Sequence, residues 1–362
     1  MEEATKKRVF EWITKWGFWP FMLLIGYIFY ILNIPAGWLI GSMVASMAYS
    51  LFIGPRKVNN NFFAIGLAMI GLTLGAMLDL TILWETIRAF GFYLLLGLVL
   101  IIGGSLILCH LFYKTSGLDK KTAYYSLLPG GASEVLALAD RHGADAAVVA
   151  SFHTARIAIF VILMPLLAGA GLVSSAKPSI FLDLVDSSSV LIPIAVLLVS
   201  AIAISRMLPI QAGTLFYATF LALVWSMGTD LPVPILLTGI GQVFIGTSIG
   251  LKFDPNTFKT LRRVGLLGLT YLMLLVGLSI GTGGIFSILT GVDFWSSVLG
   301  WTPAGAAEMS STAIFLDLDQ SAVIMLQFIR LYAVFFSLPL LAAWLDDKQI
   351  SKGVMLKIKK TS

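Results

Sequence analysis

The sequence predicts an all-α polytopic membrane protein made of two inverted-topology repeats. Three observations lead to this fold class: the composition, an internal duplication, and the alternation of charge between loops. Of the 362 residues, 58% are hydrophobic and only 12% are charged, whereas a soluble domain carries about 25% charged residues. Apolar runs at 89–113, 146–172, 188–205 and 320–344 are of the length with which a helix crosses about 30 Å of hydrocarbon.

The N-terminal apolar run, from Trp16 to Leu32, follows several basic residues. No small-residue cleavage site comes after it, so we expect a first transmembrane helix rather than a signal peptide. Cys109 is the single cysteine, which excludes a disulfide framework. The net charge of +5 is spread over short loops and tails, as the positive-inside rule predicts, and we expect no nucleic-acid partner.

An internal duplication appears when the sequence is aligned with itself. An offset of 175 places 66–79 on 241–254, and both segments read G-x-x-x-I-G-x-x-x-G-x-x-x-D. An offset of 174 places "PGGASEVLALADRHGAD" (129–145) on "PAGAAEMSSTAIFLDLD" (303–319). The predicted organisation is a cytoplasmic N-terminal tail (1–16), a first membrane repeat (17–172), a linker (173–187), a second membrane repeat (188–345) and a basic cytoplasmic C-terminal tail (346–362).

The loop charges predict that the two repeats are inverted. Loop 54–59 is basic and its counterpart 229–231 is not, whereas 252–263 is more basic than its counterpart 79–88. Equivalent loops should therefore lie on opposite sides of the membrane. This requires an odd number of crossings in each repeat, and we count about five transmembrane helices in each. Both termini are then cytoplasmic, in a multi-pass protein of the plasma or inner membrane.

Five crossings leave 122–140 and 296–314 without a span of their own. Pro129-Gly130-Gly131 and Pro303-Ala304-Gly305 interrupt these two segments, because proline breaks a helix and glycine permits a tight turn. We therefore expect each segment to be a re-entrant hairpin or a broken helix. Interrupted segments at matching positions of two repeats indicate the binding site of a transporter.

Two arginines, Arg156 and Arg330, fall near the centre of the helices that follow these segments. A charge at that depth costs several kcal/mol unless it is paired, and Glu134 and Glu308 are the expected partners. The structural alternative is an ion pair that only fixes each hairpin to its neighbouring helix. The candidate solute- or ion-binding residues are Pro129, Gly130, Gly131, Ser133, Glu134, His153, Arg156, Pro303, Gly305, Glu308, Gln327 and Arg330.

The pattern P-x-G-x-x-E followed by an H/Q-x-x-R helix occurs twice, in "LLPGGASEVLALADRHGADAAVVASFHTARI" and "TPAGAAEMSSTAIFLDLDQSAVIMLQFIRLY". These segments resemble the two halves of the AbrB-type integral membrane family, whose members often carry an ammonia monooxygenase label. The resemblance covers about 30–345 and does not extend to the soluble DNA-binding regulator of the same name. The inverted repeat also looks like that of the cation/proton antiporter and anion symporter superfamily, an analogy of fold that implies no substrate.

The function predicted from these patterns is a secondary, ion-coupled transporter for a small anionic organic solute. The solute would bind between the two Pro/Gly hairpins, with H⁺ or Na⁺ as the coupling ion, in a lipid bilayer and with a homodimer as the expected assembly. A non-transporting scaffold or regulatory protein is the alternative. A membrane monooxygenase is less favoured, because three histidines without H-x-H or C-x-x-C spacing do not predict a metal site. We therefore expect no cofactor, no metal and no enzymatic activity.

Overall fold

The protein is all-helical in the part of the chain that the structure, a computed structural model, describes. The N-terminal tail (1–16) and the linker (173–187) lie outside the described residues, as do the side chains of 79–87, 132–134 and 346–362. The described ranges are 17–56, 58–78, 80–169, 190–210 and 212–361.

Fourteen helices occur in these ranges, seven in each half of the chain. The first seven are α1 (Phe18–Ile31), α2 (Gly37–Phe52), α3 (Asn60–Met77), α4 (Leu80–Ser116), α5 (Lys120–Leu127), α6 (Ala132–Arg141) and α7 (Ala146–Gly169). The second seven are α8 (Leu191–Met207), α9 (Gly213–Ser226), α10 (Ile235–Gly250), α11 (Pro255–Thr290), α12 (Phe294–Trp301), α13 (Ala306–Phe315) and α14 (Gln320–Thr361).

The internal duplication is visible in where the helices begin. Helices α12, α13 and α14 start 174 residues after α5, α6 and α7 respectively. Asp119 caps α5 by accepting the backbone N–H of Thr122 at 2.9 Å, and Asp293 caps α12 by accepting that of Ser296 at 2.8 Å. An aspartate at this position satisfies a backbone donor that the first helical turn leaves unpaired. The same capping chemistry therefore starts the same helix in both halves.

Several helices are long and apolar enough to cross a membrane. Among the described residues there are five such helices, or up to six if one bent pair counts as a single span. The bent pair consists of Ile235–Gly250 and Pro255–Arg262, which meet at an angle of 59°. These helices indicate a multi-pass membrane protein. The five are Asn60–Met77, Arg88–Ser116, Ala146–Gly169, Val264–Thr290 and Gln320–Leu338.

The helices group into two compact units, and each unit draws helices from both halves of the chain. This division differs from the repeat boundaries, which stay a prediction from the sequence. The first unit comprises the described residues within 1–79, 161–255 and 310–320, and the second those within 80–160, 256–309 and 321–362.

In the first unit, glycines allow α3 to lie very close to its neighbours. A Cβ added at Gly75 would overlap the carbonyl oxygen of Thr219 and the side chain of Ala222, both on α9. A Cβ at Gly66 would come within 2.8 Å of the carbonyl oxygen of Gly241 on α10. Small residues let helix backbones approach and gain dispersion contacts where lipid removes the hydrophobic driving force.

In the second unit, α5 and α6 form a helical hairpin, which we call the first hairpin. At 1.5 Å per residue their 8 and 10 residues extend about 12 and 15 Å, well short of about 30 Å of hydrocarbon. The two ends of the hairpin meet, since Lys121 Nζ donates to the carbonyl of His142 at 3.1 Å. The backbone N–H of Asp145 also donates to Thr122 Oγ1 at 2.8 Å. The chain thus returns to the level at which it entered.

Candidate functional site

Helices α7 and α14 each present a pair of buried polar side chains to the loop at which a short helix is broken. The pairs are His153 with Arg156 and Gln327 with Arg330, and none of the four is more than 3% exposed. We call residues 128–131 the first tip and residues 302–305 the second tip. All of these residues belong to the second unit.

At the first tip, Arg156 donates from Nη1 to the carbonyl of Leu128 and from Nη2 to that of Gly130 at 3.0 Å. His153 Nε2 lies 2.9 Å from the carbonyl oxygen of Tyr125, and its Nδ1 lies 3.3 Å from Arg156 Nη2. Nε2 must then carry the proton and Nδ1 must accept, so the imidazole is neutral. These bonds satisfy carbonyls that the end of α5 leaves without helical partners.

The second tip is held by an equivalent set of bonds. Gln327 Nε2 donates to the carbonyl of Leu299 at 2.6 Å and to that of Thr302 at 3.1 Å. Arg330 Nη2 donates to Gln327 Oε1 at 2.6 Å and lies 3.4 Å from the carbonyl oxygen of Ala304. Leu299 and Ala304 occupy the positions that Tyr125 and Gly130 hold in the first half, 174 residues earlier.

One difference between the halves follows from side-chain chemistry. A neutral imidazole has one N–H, whereas a glutamine amide has two. Gln327 therefore reaches Thr302, whose counterpart carbonyl is served by Arg156. Arg330 Nη1 instead lies 3.5 Å from the carbonyl oxygen of Pro129. Arg330 thus bridges the two tips, while the described bonds of the Arg156 Nη atoms stay within the first half.

Each of the two arginines has one buried donor without a partner among the described residues. The Nε atoms of Arg156 and Arg330 are buried and have no hydrogen-bond partner among the described residues. A buried charge with an unpaired donor is costly. Each guanidinium therefore retains hydrogen-bonding capacity at the depth where the short helices are broken.

The glutamates predicted as partners of the arginines begin the second helix of each broken segment. Glu308 lies in the first turn of α13 and is 4% exposed. A Cβ at Gly305 would overlap its carboxylate, so glycine makes room for this carboxylate beside the second tip. The side chains of Ser133 and Glu134 lie outside the described residues. The predicted pairing of Glu134 with Arg156 therefore stays a prediction.

The described side chains that the sequence singled out lie at or beside the two tips, where they bind groups that the sequence does not mark. Pro129, Gly130 and Gly131 lie in the first tip, where Gly131 is the N-cap residue of α6, and Pro303 and Gly305 lie in the second tip. The missed acceptors are backbone carbonyls, which every residue carries and which no residue type marks. The available signal was an arginine at membrane depth beside a helix whose last carbonyls need donors.

The described residues contain no group of three or more His, Cys, Asp and Glu side chains placed to hold a metal ion. We call Arg156 with His153 the first arginine clamp and Arg330 with Gln327 the second. The bonds of the clamps run from two arginines, one imidazole and one amide to backbone oxygens. Such an arrangement can stabilise two broken helices, and the guanidinium groups can also bind an anion. It offers hydrogen-bond donors rather than metal ligands.

Comparison with known proteins places the chain in a family. A family model described as "Transition state regulatory protein AbrB" matches residues 38–346. The chain therefore belongs to the AbrB family, as the duplicated P-x-G-x-x-E pattern predicted. It is similar to the uncharacterized protein YhjN of Bacillus subtilis (strain 168), with 26% identity over 354 residues, 87% of this chain and 88% of that protein.

A second relative is "Putative regulator AbrB" of Escherichia coli (strain K12), with 23% identity over 342 residues, 92% of this chain and 97% of that protein. The chain is thus similar to both relatives along nearly their whole lengths. No solved structure shows significant similarity to the chain.

Proposed function

We propose that this protein is a secondary, ion-coupled transporter of a small anionic organic solute, which binds between the two tips. The observation that carries the proposal is the position of Arg330. Arg330 is 2% exposed, and its Nη atoms lie 3.5 and 3.4 Å from carbonyl oxygens of the first and second tip respectively. An intramembrane cation between two broken helices is a functional site by default.

The bonds of Arg330 to the tips suit exchange with a solute. At 3.4 and 3.5 Å they are at the long limit for a hydrogen bond, where the interaction is weak. A carboxylate binds a guanidinium through two parallel, charge-assisted bonds that are about twice as strong as neutral ones. Helices α6 and α13 begin directly after the tips, and their N-termini contribute partial positive charge there. A solute carboxylate can therefore replace the tip carbonyls.

The coupling ion in this proposal is H⁺ or Na⁺ and is carried by Glu308, with Glu134 as its counterpart in the first half. Glu308 is nearly fully buried beside the second tip. A buried carboxylate can bind a proton or a sodium ion, which removes or balances its charge. Such binding at Glu308 would link ion movement to solute movement.

We further propose that the repeats are inverted and that each crosses the membrane five times. Apart from the short helices α5, α6, α12 and α13, each half contains five apolar helices. The first set is α1–α4 with α7, and the second is α8–α11 with α14. The basic loops alternate out of phase between these sets. The hairpins then enter from opposite sides, with both termini in the cytoplasm of a plasma or inner membrane.

The alternative is a regulatory membrane protein that transports nothing. This regulatory alternative is favoured by the description of the matching family as a transition state regulatory protein and by the name of the Escherichia coli relative. In this alternative the two arginine clamps only hold the broken helices, and their polar bonds have a structural role.

The experiment measures uptake of labelled small carboxylates into proteoliposomes under an imposed H⁺ or Na⁺ gradient, together with ligand-induced shifts in Tm. A ligand that binds the folded state stabilises it by about 2.7 kcal/mol at one hundred times its Kd. We expect one class of carboxylate both to accumulate and to raise Tm. Arg330→Gln should reduce uptake at least tenfold. Arg88→Gln is the matched control, because Arg88 is exposed.

Arg156→Gln separates binding from folding. This variant removes the described donor to two buried carbonyls, Leu128 and Gly130, and each unsatisfied acceptor costs about 1–3 kcal/mol. We expect a larger fall in Tm than in Arg330→Gln. If no carboxylate accumulates or raises Tm, and both variants merely melt early, the transporter proposal is wrong and the regulatory alternative is favoured.

A further inference from the structure

Residues 256–264, which we call the connecting segment, form a short helix between two apolar helices. The helix Pro255–Arg262 is bent by 59° from α10. At its other end the helix is broken at Gly265, whose φ of 67° and ψ of −153° are not helical. The apolar helix Val264–Thr290, long enough to cross a membrane, begins there. The connecting segment therefore lies at the end of a membrane span, which is the level of the lipid head groups.

One face of the connecting segment is basic, aromatic and exposed. Phe258 is 54% exposed, and Lys259 and Arg262 are exposed as well. Successive residues of a helix are rotated by about 100°, so these three side chains lie within about a third of the circumference. The other side of the helix carries the partly buried residues Thr257, Thr260, Leu261 and Val264. The exposed face is therefore open to a partner from outside the chain.

The duplication does not account for the charge of this face. Helices α4 and α11 begin 175 residues apart, and this offset places 80–89 on 255–264. The first copy contains one acidic and one basic residue, whereas the second contains three basic residues and no acidic one. Trp84 and Ile87 occupy the positions of the exposed lysine and arginine. The shared helical architecture therefore does not require these two cations.

An anionic lipid matches both parts of this face. Lysine and arginine pair with phosphate oxygens, and aromatic rings are stable at the level of the head groups. A soluble anion would meet the two cations but would leave Phe258 in water, which is unfavourable. The exposed apolar surface also continues beyond the break, since Leu266 is 78% and Leu269 46% exposed. Lipid tails cover such side chains on a membrane span.

We propose that the connecting segment binds an anionic phospholipid. Lys259 and Arg262 bind the phosphate, and Phe258 enters the boundary between head groups and acyl chains. This surface is separate in sequence from the two tips and their arginine clamps. The proposal therefore holds whether or not the protein transports a solute.

The test is native mass spectrometry of the full-length protein in a neutral detergent, titrated with phosphatidylglycerol. We expect the double variant Lys259→Gln with Arg262→Gln to raise the Kd of the tightest lipid at least tenfold, because each basic residue near an anionic surface contributes about fivefold. The exchange Lys259→Arg with Arg262→Lys keeps both charges and should change the Kd less than threefold. Retention in this exchange shows that the charges, and not a misfolded helix, cause the loss.

Two matched controls separate this surface from net charge and from apolar area. Lys114→Gln with Arg141→Gln also removes two exposed cations of the second unit and should change the Kd less than twofold. Phe258→Ala should raise the Kd at least threefold. Phe92→Ala, at a position that is 74% exposed on α4, should leave it unchanged.

Three outcomes would overturn the proposal. Equal losses in the two double glutamine variants would show that binding follows net charge alone. Equal affinity for phosphatidylcholine, or an unchanged Kd in Lys259→Gln with Arg262→Gln, would show that the segment does not recognise an anionic lipid. Glycerol phosphate carries the phosphate without acyl chains and should not displace the lipid. If it does so with the same dependence on Lys259 and Arg262, the segment binds a soluble phosphate instead.

Discussion

At the scale of single residues, the difference between His153 and Gln327 decides what the two arginines do. The histidine donates one N–H, to Tyr125, so Arg156 must serve the remaining carbonyls of its own tip. The glutamine donates two N–H groups to its own half, and Arg330 is left to reach Pro129. One substitution between otherwise equivalent positions thus makes the duplicated site asymmetric.

In Gln327→His, we expect Arg330 to lose its bond to the carbonyl of Pro129 in the first tip and to bind the carbonyl of Thr302 in its place. The new imidazole has a single N–H, which Leu299 would occupy, as Tyr125 does in the first half. We expect hydrogen exchange to accelerate for the backbone amides of 130–133, in the other half of the chain, and to change little for 304–306. Exchange followed by mass spectrometry measures both segments. Acceleration confined to 304–306 would show that Arg330 does not link the tips.

At the scale of helices, two features of the fold have local causes. The short helices end where Pro129 and Pro303 follow, because proline cannot continue a helix and restricts the residue before it. The close packing of α3 against α9 and α10 depends on missing side chains, since a Cβ at Gly75 would overlap the Thr219 carbonyl. Both features correspond to sequence patterns, the first to the Pro/Gly interruptions and the second to the glycines of the repeated G-x-x-x-I-G-x-x-x-G-x-x-x-D pattern.

Gly75→Ala should destabilise the first unit. The added methyl group meets backbone atoms of α9, which cannot rotate away, and overpacking of this kind costs about 1–3 kcal/mol. Gly103→Ala on α4 is the matched control, because no atom lies within 4 Å of a Cβ built there. It should be neutral or stabilising by up to about 1 kcal/mol. Thermal unfolding of the purified variants measures the difference, and equal Tm values would contradict the packing role.

At the scale of the whole molecule, the duplication and the compact units divide the chain differently. Each unit takes helices from both halves, so neither half accounts for a unit on its own. The second unit contains both tips and both clamping arginines. The sequence repeat therefore supplies two copies of the tip and its arginine, and the second unit contains both copies.

The proposed inverted topology predicts that Asp145 and Asp319, equivalent residues that are both exposed, face opposite sides of the membrane. The test replaces each with cysteine in a Cys109→Ala background and labels intact and permeabilised cells with an impermeant maleimide. Cys109 is buried, so the parent protein should label poorly. We expect one of the two cysteines to react in intact cells and the other only after permeabilisation. Reaction of both from the same side would rule out inverted repeats.

The sequence predicted much of the fold because its signals are local. Apolar length indicated the membrane class, Pro and Gly marked the two tips, and the offset of 174 located paired residues such as Arg156 and Arg330. The pairing of these arginines with Glu134 and Glu308 stays a prediction. Their described bonds go to backbone carbonyls and to His153 and Gln327. A backbone acceptor has no signature in the sequence, so only the path of the chain could show it.

The sequence by itself determined that this is a duplicated, helical, membrane-type chain of the AbrB family with two broken segments. These properties depend on residue type, spacing and hydrophobicity, which can be read directly from the sequence. Only the tertiary structure decided that Arg330 lies near both tips, and that the two ends of the first hairpin meet. These features join residues up to 201 positions apart, and their geometry depends on how distant helices pack, which no local pattern encodes.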